Sequence, residues 1–99
     1  MIKVIITKEN NNIKEITLKG HALYADLGKD IVCAAVSSIV ITTVNAIKRI
    51  DSQAISYEDN GSVLIKILKH DEITNKLTEN LADLLKELAN DYPKNIKIL

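Results

Sequence analysis

One thiol carries most of the chemical interest in this chain. Cys33 is its only cysteine, and it follows Asp30 by three residues at the head of a stretch with helical periodicity. Aspartate is a strong helix N-cap residue, so this spacing places Cys33 in a first helical turn. Unpaired backbone amides and the helix dipole there stabilise an anion, the form in which sulfur is nucleophilic. His21 stands twelve residues upstream, on the segment that leads into the same helix. An imidazole brought back to the thiol could accept its proton and return it to a leaving group, while first-turn amides hold an oxyanion. Ser37, four residues after Cys33, falls on the same helical face and could steady the sulfur or a bound substrate.

Each of these residues also has a plainer reading. A lone cysteine is among the most buried residue types and commonly serves as a small apolar group. An isolated histidine near a helix start is more often a surface or hydrogen-bonded residue, and Asp30 needs only its capping role. Ser37 can bond back to a helix carbonyl, and Gly28 can be a turn residue. His70, just before Asp71, reads as a loop residue entering a second helix and is assigned no chemistry. One cysteine and two separated histidines offer no zinc-site spacing, and the chain has no glycine-rich phosphate loop. No metal and no cofactor are expected.

The elements that must position these groups follow from periodicity. Residues 2–7 and 13–18 are β-branched runs joined by the polar segment 8–12, the pattern of an antiparallel hairpin with a longer loop, with Ile2, Val4 and Ile6 on one face. The aperiodic segment 21–29 reads as a surface loop. From 31 to 50, Val32, Ala35, Val36, Ile39, Val40, Thr43, Val44 and Ile47 recur at helical spacing over more than half the circumference, which predicts a largely buried helix. Residues 54–57 and 63–68 form a second hairpin across 58–62, where Asn60-Gly61 is a tight-turn signal. Ile73, Leu77, Leu81, Leu84, Leu85 and Leu88 make the stripe of an amphipathic helix that Tyr92-Pro93 should end, after which 95–99 can add a strand. The fold class is α+β: two antiparallel hairpins and two helices in the order ββαββα, with room for a C-terminal strand, the helices packed on a sheet.

Composition narrows the function. The chain has 99 residues, 46% of them hydrophobic, enough for one domain over 1–99 with its own core. Thirteen basic residues balance thirteen acidic ones, which argues against direct nucleic acid binding. A single cysteine cannot form an internal disulfide and suits a reducing compartment, so the expected location is cytoplasmic. The start MIKVIITKEN lacks a leader pattern, and no run reads as long enough to span a membrane, so no membrane association is expected.

Gly20-His21-Ala22, followed by Gly28-Lys29-Asp30-Ile31-Val32-Cys33-Ala34-Ala35-Val36-Ser37, resembles the signature of the ribosomal-processing cysteine proteases, the Prp family. The order of hairpins and helices extends the similarity over nearly the whole chain. The resemblance implies a cysteine endopeptidase that removes the N-terminal extension of large-subunit ribosomal protein L-twenty-seven during ribosome maturation. It makes Cys33 the nucleophile and His21 its partner, with Asp30, Ser37, Gly20 and Gly28 at matching motif positions. It also implies a homodimer, a mobile cover formed by 24–27, and an apolar groove beside Cys33 whose walls the sequence does not locate. The alternative is a non-catalytic ribosome-associated module that holds the same peptide without cutting it.

Overall fold

The computed structural model describes residues 1–20 and 31–99. Strand β1 (Ile2–Glu9) turns into β2 (Asn12–Lys19), and helix α1 (Ile31–Ile50) comes next. Strands β3 (Ile55–Asp59) and β4 (Val63–Ile67) form the second hairpin, and helix α2 (Glu72–Asp91) leads to the short β5 (Ile96–Ile98). The order is therefore ββαββαβ, with the C-terminal strand present. All five strands join one sheet in the order β3-β4-β2-β1-β5, antiparallel except where β5 runs parallel to β1.

The first hairpin is tighter than the longer loop anticipated over 8–12. Asn10 and Asn11 form a two-residue turn with φ of 54° and 67°. Asparagine tolerates this left-handed region better than most residues, and two positive φ values match the turn to the twist of the strands. The extra length becomes strand, with a register irregularity between Thr7 and Lys8. In the second hairpin only Gly61 takes positive φ, at 88°, and Asn60 N–H donates to Ser62 C=O at 3.2 Å. The connection is thus the three residues 60–62, shorter than the 58–62 segment expected, because Glu58 and Asp59 continue β3.

Directly opposed residues point to the same side of a sheet. Ile98, Val4, Leu18, Val63 and Asp59 therefore make one row across the five strands, and Ile6, Ile16, Ile65 and Tyr57 make the next. This face is the core face: Val4, Ile16 and Ile65 are essentially inaccessible. The helices cover it. Helix α1 contributes Val32, Val36, Val40, Val44 and Ile47, and α2 contributes Leu81, Ala82 and Leu85.

Two features of the helices depart from the sequence pattern. Helix α1 is buried along a single stripe rather than over most of its circumference; Ala35, Ile39 and Thr43 are half-buried and Ile41 is exposed. Its twenty residues are long and apolar enough to cross a membrane by length and composition, contrary to the expectation from the runs. The valine stripe is instead packed against the sheet. In α2 the buried stripe is rotated: Ile73 is exposed, whereas Thr74 and Thr78 are buried. The Thr78 hydroxyl donates to the Thr74 carbonyl at 3.0 Å, which satisfies a polar group inside the core. Asp71 caps α2 by accepting from Thr74 N–H at 2.8 Å, and Tyr92 N–H closes it on Leu88 C=O at 2.8 Å.

Candidate active site

Cys33 is the third residue of α1, in its first turn, where backbone amides have no carbonyl partner within the helix. It is partly buried and packs against the core cluster. The buried-core reading of this residue is therefore half right: one side meets the core and another borders a cleft. That cleft holds about 550 Å³ including its open mouth, and it lies where β1 begins and β2 ends. Ile2 and Leu18 come from the sheet, Val36, Val40 and Ile41 from α1, and Val63 from the start of β4. These are the apolar walls that the sequence left unlocated.

The polar groups on the cleft are few. Besides the Cys33 thiol they are Ser37, one turn further along α1, and Tyr57 and Asp59 from β3. Ser37 thus lies on the Cys33 side of the helix, as the four-residue spacing predicts, and its exposed side chain faces the cleft. Gly20 completes the lining with φ of 83°. A Cβ built there would collide with the carbonyl oxygen of Met1, so the conformation and the close approach of β1 both require glycine. His21, Gly28 and Asp30 lie outside the described residues, as does the segment 24–27.

Tyr57 and Asp59 were not singled out from the sequence. Ile55, Tyr57 and Asp59 alternate along β3, and the period of two places all three on the core face. That alternation was the available signal, masked by the polar residues that surround the turn. The ion pairs among the described residues, Lys14–Glu9, Lys69–Asp51 and Lys76–Glu72, all lie away from the cleft. No cluster of three potential metal ligands occurs among the described residues.

An α+β sheet with a thiol at a helix N-terminus, set on the edge of an apolar cleft that a side chain could fill, is the arrangement of a small cysteine protease. The family model of the cysteine protease Prp matches residues 1–97, and the chain belongs to that family. The ribosomal processing cysteine protease Prp of Mycoplasma pneumoniae is 34% identical over 99 residues, covering 97% of this chain and 91% of the relative. The Staphylococcus aureus protein of the same name is 28% identical over 103 residues, covering 99% and 97%. Two crystal structures of the Staphylococcus aureus protease superpose closely. One, in complex with a covalently linked product peptide, gives a TM-score of 0.90 at 26% identity over 99% of this chain and 97% of that one. The other, in complex with a substrate peptide, gives 0.88 at 25% identity over 100% and 98%.

Proposed function

We propose that this chain is a ribosome-processing endopeptidase that removes the N-terminal extension of large-subunit ribosomal protein L-twenty-seven, with Cys33 as nucleophile and His21 as its proton partner. The observation that carries the reading is the position of Cys33, in a first helical turn and on the border of an apolar cleft. The names of the Mycoplasma and Staphylococcus relatives support the ribosomal substrate, and the peptide-bound structures support a peptide in the cleft. His21 takes the Cys33 thiol proton, the thiolate attacks the scissile carbonyl carbon, and the amides of the α1 first turn hold the resulting oxyanion. The carbon–nitrogen bond then breaks, and the leaving amine takes a proton from His21. The thioester that remains is hydrolysed by water, whose proton passes to His21 as the carboxylate product and the Cys33 sulfur separate. Ser37 and Gly20 border the reacting sulfur's cleft. We place the protein in the cytoplasm as a homodimer, acting without metal or cofactor.

The test is a synthetic peptide spanning the extension and the mature start of the same organism's ribosomal protein, incubated with wild type, Cys33→Ala and His21→Ala. A single cut seen by mass spectrometry with wild type and absent from both variants is the expected result. Cleavage that persists in Cys33→Ala overturns the assignment, and wild type that binds the peptide without cutting it makes the chain a holding module. Sedimentation of the purified protein checks the dimer.

A further inference from the structure

The apolar row Ile98-Val4-Leu18-Val63 ends, on the edge strand β3, in a carboxylate. Asp59 occupies a position whose side chain points to the helix-covered face of the sheet, because it pairs with Val63, which pairs with Leu18. An apolar residue would extend the row, and Ile55 and Tyr57 do so at the two preceding positions of the same face. Asp59 is instead exposed on the rim of the cleft that Cys33 borders, and it is the only charged residue lining that cleft among the described residues. Among the described residues no lysine or arginine forms an ion pair with it. Its structural role is also slight: the strand ends with it, and the Asn60–Ser62 turn is closed by backbone. A negative charge beside apolar walls fits a side chain with an aliphatic stem and a cationic head, since the stem can lie along Val63 and Ile41 while the head stays at the wet rim.

We infer that Asp59 is a specificity-determining residue that selects peptides carrying a lysine or arginine close to the cut, an inference that rests on the protease reading above. An extended peptide advances about 3.3 Å per residue, and a lysine stem reaches roughly two such steps. Because Asp59 and Cys33 line the same cleft, the basic residue lies near the scissile bond. The contact is solvent-exposed, so it sets a modest preference, about twofold to fivefold in kcat/KM, and salt weakens it.

The experiment uses full-length protein and a panel of junction peptides in which each of the three positions on either side of the cut carries lysine, alanine or glutamate in turn. At one or two positions wild type should prefer lysine over glutamate, Asp59→Asn should erase the preference, and Asp59→Lys should reverse it. The readout is the ratio of rates between peptides, which a general loss of stability or activity does not change. The same panel is titrated by fluorescence anisotropy against Cys33→Ala, with and without the Asp59 substitutions. If no peptide is cut but binding follows the same charge pattern, the protease reading fails and the Asp59 assignment stands. If wild type cuts with no charge preference, or the preference survives both Asp59 substitutions, the assignment is overturned and the protease reading stands. Neither cleavage nor charge-dependent binding overturns both.

Discussion

Gly20 shows how much one residue without a side chain can decide. It sits directly before His21 in sequence, lines the cleft, and holds φ of 83° with the Met1 carbonyl where a Cβ would be. Gly61 has almost the same φ, 88°, but among the described residues nothing lies within 4 Å of its virtual Cβ. The two glycines therefore separate two costs. Gly61→Ala meets only the left-handed backbone penalty, about 1 kcal/mol. Gly20→Ala meets that penalty and a clash with backbone that cannot rotate away, so β1 or the segment after β2 must shift, at about 2–4 kcal/mol in total. Urea unfolding of both variants should rank Gly20→Ala as clearly the more destabilised. Peptide cleavage should fall further in Gly20→Ala than the loss of folded protein explains, because Gly20 lines the cleft that Cys33 borders. Equal stability of the two variants would mean that the approach of Met1 has slack. Neither cost is readable from sequence: Gly-His-Ala marks the position, but which carbonyl approaches it depends on the β1–β2 register.

Elements whose residues agree with one periodicity were the legible part. Helix α1 runs over the 31–50 window that its valine spacing predicts, and the C-terminal strand forms where Pro93 releases the chain from α2. Where the structure departs from the sequence pattern the physical cause is shared, since local geometry rather than hydrophobicity decides which residues are buried. Leucine and isoleucine suggest one α2 stripe, yet the buried surface takes Thr74 and Thr78, and the Thr78 hydroxyl is satisfied by bonding back to the Thr74 and Asn75 carbonyls. Ile73 is left at the surface as a result. The first hairpin looked loose because Lys8 to Asn12 is polar, but Asn10 and Asn11 supply a compact turn. The Asp71 cap gives α2 a pH dependence with a definite sign. The Thr74 amide that donates to its carboxylate holds Asp71 below the ordinary value of 3.8, with desolvation opposing weakly. A lowered folded-state value means that the stabilisation is fully present above about pH 4, near the unfolded-state value, and is lost as pH falls through the folded one. Asp71→Asn keeps a capping oxygen without the charge. Its unfolding midpoint should therefore lose less than that of wild type between about pH 5 and pH 2, and the gap between the two should narrow on acidification. Parallel acid dependence in the two proteins would show that the cap does not titrate as described.

At the scale of the molecule, the cleft depends on residues at the far end of the chain. Ile2 walls the cleft, and its backbone N–H donates to Asn95 C=O at 2.8 Å, while Leu99 N–H donates to Val4 C=O at 2.7 Å. Strand β5 thus fastens the outer edge of β1, and β1 in turn sets both the Ile2 wall and the Met1 carbonyl that meets Gly20. The anchor of this strand is Ile96, 2% exposed and part of the single core cluster. Ile96→Ala removes most of its buried side chain and should cost about 2–5 kcal/mol, a large fraction of what holds a domain of this size. The consequence specific to this architecture concerns activity. Ile96 does not line the cleft, yet kcat/KM per folded molecule should fall in Ile96→Ala, because a loosened β5 lets β1 drift and opens the wall beside Cys33. Val44→Ala serves as the control, since Val44 is also buried in the core but belongs to α1 beyond the cleft-lining turns. Assayed at a temperature where each variant remains folded by circular dichroism, Val44→Ala should keep the wild-type KM and Ile96→Ala should raise it severalfold. Equal KM values would mean that the sheet holds Ile2 in place without its last strand, and that the C-terminus contributes stability alone.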